Sequence, residues 1–318
     1  MTDREQRTEE FIELRPLLFS IAYRILGSAA EAEDVVQEAW LRYASADAVV
    51  EAPRAFLTTV VTRLAVDVLR SARARREQYV GQWLPEPILT DDPDGPEARA
   101  ELTESISMAS LLLLERLSPL ERAVFVLREV FDVDYAEIAE AVERSEDACR
   151  QLASRARRHI ARQRPRFDAD QHDRQALTER FMAAFREGDV EGLRRLLAAE
   201  VTMVGDGGGK APSLPRPVAG REKVASLLAS VGPPMVSIGV TLQLREVNGA
   251  PGLITRAEEG TIVNVVVLDV VDGRIQTIRF ISNPDKLRHL GAVSDIWRLK
   301  DEFQQARRAA REESDTST

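Results

Sequence analysis

Arginine supplies the most pointed chemistry in this chain. Arg150, Arg155, Arg157 and Arg158 recur along residues 145–160, with Arg162, Arg164 and Arg166 just beyond, against only Glu146 and Asp147 in the same stretch. Arg63, Arg70, Arg73, Arg75 and Arg76 recur along residues 53–76 against Asp67. A guanidinium stays charged and presents a planar fork of donors that fits a phosphate or the edge of a guanine. Two separate tracks of this kind point to DNA touched at two places.

No competing chemistry emerges. Metal-ligand spacing and a nucleophile motif are missing, and Gly207-Gly208-Gly209-Lys210 lacks the strand-to-helix context and following Ser or Thr of a phosphate-cradling loop. His159, His172 and His289 fall outside the predicted strands, and Asp206, Glu258 and Asp269 form no acid–base pair. The expectation is therefore no catalytic residue, no metal and no cofactor. Cys149 is the single cysteine, so disulfides within the chain are impossible, which suits the cytoplasm. Its apolar helical position between Ala148 and Arg150 reads as a small buried hydrophobe rather than a reactive thiol.

The formal net charge of −9 is unusual for a chain that touches DNA. The average hides clustering: acids such as Asp91, Asp92 and Asp94 dominate elsewhere, and the first lysine is Lys210. A local basic face is enough for phosphate contact, and surrounding acids limit non-specific adhesion. No apolar run approaches the roughly 20 residues that span a bilayer. The polar, acidic start MTDREQRTEEF shows no signal peptide.

The elements that must carry these residues are legible from period and caps. Phe11, Leu14, Leu17, Leu18, Ile21, Ala22 and Ile25 mark a helix over 11–26, broken by Gly27 and Ser28. Val35, Val36, Ala39, Trp40 and Tyr43 mark a second over 30–43, and Pro53 opens a third that runs to about residue 76. Residues 82–96, QWLPEPILTDDPDGP, read as a linker. Helix resumes over 97–117. Ser118-Pro119-Leu120-Glu121 is a capping box, Asp134 and Glu137 repeat the spacing, and Ser145 caps an arginine-rich helix. Residues 135–142 and 145–162 thus form a helix-turn-helix. In it Ser145, Glu146, Arg150 and Gln151 face base edges, while Arg155, Arg157 and Arg158 hold phosphates.

The character changes after about residue 167. A helix over 175–197 is interrupted at Gly188-Asp189, and another covers 222–231. Strands are predicted over 201–204, 236–245, 253–257, 261–271 and 274–281. Asn248-Gly249, Glu259-Gly260 and Asp272-Gly273 join them as antiparallel hairpins. The fold class is multidomain: two all-α blocks followed by an α+β domain with a curved sheet. Domain bounds are set at 1–80, 81–98 for the linker, 99–166 and 167–290, with a charged tail over 291–318 that is expected to fray over 301–318.

Asp34, Gln37, Glu38 and Arg42 make a mixed polar face suited to a protein partner. Together with Arg54-Ala55-Phe56-Leu57 and residues 62–70, TRLAVDVLR, this block resembles region two of the extracytoplasmic-function sigma factors, and residues 118–160 resemble their region four. The resemblance implies that Asp34, Gln37, Glu38, Trp40 and Arg42 dock on core RNA polymerase. It implies that Arg54, Arg63, Arg70, Arg73, Arg75 and Arg76 melt and read the minus-ten element, and that the 145–158 helix reads the minus-thirty-five element. Asparagine is common in the family where Arg63 stands, so the minus-ten sequence is left open. Tethered weak contacts gain effective concentration, which agrees with an acidic chain that barely binds free DNA.

Trp83-Leu84-Pro85-Glu86-Pro87, Asp206-Gly207-Gly208-Gly209-Lys210 and Asn283-Pro284-Asp285-Lys286-Leu287 further resemble signatures of the SigJ type, which carries a fused SnoaL-like domain, a cone of curved strands closed by helices. That resemblance implies regulation in cis. The expected mechanism docks Trp83 on the extension near 206–210 or 283–287, fixing the spacing of the two DNA-binding blocks. The cone is also a candidate site for an unknown small apolar ligand. A ligand-responsive helix-turn-helix repressor is the alternative, and it leaves the 32–42 pattern unexplained.

Overall fold

The computed structural model describes residues 3–46, 48–76, 78–91, 107–161 and 171–316. The chain forms two units. One comprises Met1–Gln78 with Thr90–Pro165, the other Tyr79–Leu89 with Arg166–Thr318. The Trp83 segment therefore belongs to the second unit's fold rather than bridging the blocks as a free linker; residues 92–106 lie outside the described residues.

Among the described residues, the elements of the first unit are all helical. α1 (Asp3–Leu26) ends at Gly27, whose φ of 70° a side chain disfavours. Ser28 then caps α2 (Ala29–Ala44) by accepting from the Glu31 N–H at 3.1 Å. α3 spans Pro53–Arg76, with proline at its start as the sequence implies. Leu18, Ile21, Ala22 and Ile25 of α1, Val35, Val36 and Ala39 of α2 and Leu57, Val61 and Ala65 of α3 are buried where the three helices pack, each set repeating every three to four residues. α4 (Met108–Leu114) stops three residues short of the expected end. α5 (Pro119–Phe125) opens with the full Ser118–Glu121 capping box and runs on through a π-helical turn, Val126–Val130. α6 (Tyr135–Val142) and α7 (Glu146–Ala161) follow.

Two caps behave differently. Ser145 accepts from the Ala148 N–H at 3.3 Å, as a cap should. Asp134 occupies the cap position of α6 with extended backbone but makes no capping hydrogen bond; its carboxylate lies 3.8 Å from Arg128. The α6–α7 turn places Glu143 in the left-handed region at φ 54°, where glycine would be unstrained.

The second unit packs helices on one mixed sheet. α8 (Gln171–Glu187) and α9 (Val190–Leu196) flank Gly188 and the Asp189 cap. Six strands follow: β1 (Leu197–Asp206), β2 (Val218–Ala219), β3 (Thr241–Val247), β4 (Ala250–Arg256), β5 (Ile262–Val271) and β6 (Arg274–Ile281), in the spatial order β2-β1-β6-β5-β4-β3. Asn248-Gly249 and Asp272-Gly273 have positive φ at both residues, the turn that two-residue hairpins favour. Register shifts within β1, β4 and β5 curve the sheet.

Three expectations are corrected. β1 pairs with β6 in parallel, so the sheet is not wholly antiparallel; hairpin signals report only strands adjacent in sequence. α10 (Arg221–Ser237) continues through Pro233-Pro234 into the stretch expected to begin a strand. Packing overrides the prolines here: a Cβ on Gly232 would sit 1.7 Å from the Phe185 carbonyl oxygen, so α10 lies hard against α8. Finally, the frayed tail is a helix, α11 (Ile296–Thr316), whose Leu299 is buried against Ala257 and Val263.

Candidate functional site

In the first unit, α2 turns Val35, Val36 and Ala39 inward, which leaves Asp34, Gln37, Leu41 and Arg42 exposed and Glu38 half-buried. Arg42 pairs with Glu38 at 2.9 Å across one helical turn. Leu41, 54 % exposed, adds an apolar centre to this charged face. Trp40 does not join the face fully; its ring packs on Phe11 of α1, with centroids 5.0 Å apart and planes tilted by 45°.

On α3, Arg54, Arg63 and Arg70 are exposed, and Arg70 pairs with Asp67 at 3.0 Å. Arg73, Arg75 and Arg76 fall in the last turns of α3, and their side chains lie outside the described residues. Arg63 is brought instead to the end of α6. It donates to the Glu140 and Ala141 carbonyls at 2.9 and 3.3 Å and stands 3.7 Å from the Glu143 carboxylate. These carbonyls belong to the last turn of a helix, where the Glu140 oxygen also accepts a long 3.4 Å bond from the Glu143 N–H and the dipole favours a cation. A reciprocal contact runs the other way. Arg122 of α5, 1 % exposed, donates to the Arg24 carbonyl in the last turn of α1 at 2.8 Å and pairs with Glu115. Arg24 itself lies over Phe131 at 5.2 Å, and burial pulls its guanidinium pKa down to about 10.

α7 buries Cys149, Leu152, Ala153 and Ala156 and turns Ser145, Glu146, Arg150, Gln151, Arg155, Arg157 and Arg158 outward. Burial raises the Cys149 thiol, consistent with a packing residue. Arg150, Gln151, Ser154, Arg155 and Arg158 line one shallow groove. The cations are held by neighbouring acids: Arg150 by Glu146 and Asp147 at 2.6 and 2.9 Å, Arg155 by Glu121 at 3.6 Å, and Arg157 by Glu129 at 2.7 Å. Such exposed pairs are screened by solvent and contribute little, so a phosphate can displace them. Arg162, Arg164 and Arg166 lie outside the described residues.

In the second unit the motifs at 83–87, 206–210 and 283–287 converge on Asp206. This carboxylate is fully buried. It accepts from the Tyr79 hydroxyl at 2.5 Å, the Leu84 N–H at 2.8 Å and the Lys286 ammonium at 2.7 Å. The ammonium also donates to the Leu84 carbonyl and lies 4.2 Å from the Trp83 ring centroid and 5.0 Å from that of Tyr79. Burial first, then donation to Asp206, pushes the Tyr79 phenol well above its ordinary value. The Asn283 amide donates to the Tyr79 oxygen at 2.7 Å, and Lys210 pairs with Asp285. Gly208 is needed at this junction: its φ is 57°, and a Cβ would sit 2.3 Å from Asn283 Nδ2 and 2.8 Å from the Tyr79 hydroxyl. The segment 79–89 then runs along the sheet edge. Ile88 exchanges bonds with Asn248 at 2.9 and 3.3 Å, Leu89 bridges Val247, and the His289 ring bonds the Pro87 carbonyl at 2.8 Å. Leu84, Glu86 and Ile88 are buried, while Leu287 packs inside the unit.

Tyr79 and Arg122 carry no signal of these roles in the sequence, and Asn248 and His289 show there only as a turn residue and a histidine outside the strands. Their partners lie far along the chain, and only the Asn-Gly turn at 248 carried a local signal. Asp269 is spent on Arg279 and Asp206 on Lys286, so neither waits in a pocket as a free acid or base. Among the described residues no helix is long and apolar enough to cross a membrane.

Residues 11–75 match Sigma-70 region 2, and residues 108–160 match Sigma-70, region 4. The chain is 43% identical to the ECF RNA polymerase sigma factor SigJ of Mycobacterium tuberculosis, over 87% of this chain and 92% of that one. It is 30% identical to the probable ECF RNA polymerase sigma factor SigI of the same organism, over 87% and 93%. The crystal structure of the Mycobacterium tuberculosis SigJ superposes with a TM-score of 0.69 at 38% identity, covering 88% of this chain and 98% of the other.

Proposed function

This chain belongs to the extracytoplasmic-function RNA polymerase sigma factors, and from that premise we propose how its surfaces divide the work of promoter-specific transcription initiation. The α2 face docks on core RNA polymerase, α3 engages the minus-ten element, α7 reads the minus-thirty-five element, and the C-terminal unit regulates them in cis. The role is non-enzymatic and cytoplasmic. The observation that carries the reading is the pair of matched regions, in order, with α7 presenting its arginines opposite its buried Cys149–Ala156 face.

The reciprocal arginine contacts give the regulation a physical form. Arg63 holds the end of α6 and Arg122 the end of α1, so the two DNA-reading blocks are latched together. Promoter elements named minus ten and minus thirty-five are separated by about 85 Å of duplex at 3.4 Å per base pair. Helices joined by a 2.9 Å hydrogen bond do not span that distance, so this is a closed state that polymerase binding opens. The segment 79–89, held by Asp206 and Lys286, lies in sequence between the blocks and limits how far they part.

Reconstituted transcription with core polymerase on a promoter library tests the assignment. Asp34→Lys with Arg42→Glu should abolish initiation and polymerase capture together. Lys286→Met, which frees the segment, should change which promoter spacings are used. A repressor would bind an operator unaided and initiate nothing with polymerase; that outcome would replace this reading.

A further inference from the structure

The second unit has a half-open pocket of about 410 Å³ between the concave sheet face, α8, α10 and α11. Its size falls in the range, about 300–1,000 Å³, that buries a small organic ligand. Phe181 and Phe185 of α8, Leu228 and Met235 of α10, and Val266 and Phe280 of the sheet give it apolar walls. Water gains little from such a space, whereas an apolar molecule gains contact with every wall.

The few polar groups set the chemistry. The Thr255 hydroxyl is committed, donating to the Asn264 carbonyl at 3.3 Å and accepting from its N–H at 3.2 Å. The Ser282 hydroxyl is committed to the Asp206 and Pro212 carbonyls at 3.3 and 3.2 Å. The Asn264 side chain also lines the cavity, and its Oδ1 is buried without a hydrogen-bond partner among the described residues. A buried acceptor left unmatched is costly, and a donor delivered by a ligand relieves that cost. At the α11 wall stands Lys300, whose ammonium lies 5.0 Å from the Trp297 ring centroid.

We propose that this pocket is a binding site for a compact, largely apolar molecule bearing a hydroxyl that donates to Asn264 Oδ1. The inference deepens the reading of the C-terminal unit as a regulator by naming the class of its input. Ser282 supplies the connection: its side chain lines the cavity and holds the main chain of Asp206, whose carboxylate holds the 79–89 segment.

The test uses the full chain and two matched probes, 2-naphthol and 2-methoxynaphthalene, which differ in the donor alone. Calorimetric titration should show 2-naphthol bound at least tenfold more tightly. Asn264→Leu should erase that preference while keeping both probes bound, and Leu228→Trp, which fills the cavity, should remove both with the circular dichroism spectrum unchanged. Equal affinity for the two probes in the wild type overturns the hydroxyl assignment. Binding that survives Leu228→Trp in a folded chain overturns the site. Neither result touches the sigma-factor assignment, which the Asp34→Lys, Arg42→Glu variant reads separately by polymerase capture.

Discussion

Asp206 serves three donors from inside the protein, two of them on a segment more than a hundred positions earlier. Removing one member of a buried ion pair strands the other, so Asp206→Ala should cost about 3–5 kcal/mol, read as a lower urea midpoint of the C-terminal transition. Gly208→Ala should be destabilising as well, because its methyl group meets Asn283 and Tyr79 while its backbone is forced into a left-handed conformation. Tyr79 makes the same junction pH-sensitive. Its phenol, facing Asp206, Asn283, Asp285 and Lys286, is raised above the ordinary value near 10. The unfolded phenol then loses its proton first as pH rises. Stability from this residue is therefore complete below about pH 10 and falls above it. Thermal melts between pH 8 and pH 11 should show a smaller alkaline loss in Tyr79→Phe than in the wild type. The sequence motifs lead to the expectation that Trp83 meets 206–210 or 283–287, and Lys286 lies over its ring. Tyr79 lies outside all three motifs, and a bond between distant positions leaves no local pattern.

Helix ends govern the first unit. Glu143 sits where glycine is unstrained, and a side chain there costs about 1–2 kcal/mol. Its 3.7 Å pair with Arg63 is exposed and contributes about 0–1 kcal/mol. Glu143→Gly should therefore raise the melting temperature modestly. Arg63→Ala should act oppositely on the latch, increasing amide exchange in the last turn of α6 while leaving α1 protected. On α7, Arg150→Ala should weaken discrimination at one minus-thirty-five position by about 1–3 kcal/mol, whereas Arg158→Ala should lower affinity evenly across sequences and reduce the salt slope by about one. Caps and periods made these helices readable: Pro53, Ser118 and Ser145 mark starts that the structure keeps. Elements set by packing were not readable. α10 runs through two prolines because α8 lies against it, and α11 stays helical because Ile296, Leu299 and Phe303 face the cavity.

At the scale of the whole molecule, sequence order and structural membership part company. Residues 79–89 leave the first unit, complete the second, and return the chain to the first. The C-terminal unit is thus not an appendage fused behind a finished factor, since part of its interior is supplied from between the region-two and region-four matches. A protease nick within 162–170 should then leave one particle on a sizing column, with the two fragments parting only in denaturant. Residues 171–318 made alone should expose the bed vacated by Leu84 and Ile88, clump, and be rescued by a synthetic 79–89 peptide. The protein is, in effect, a natural case of split-protein complementation.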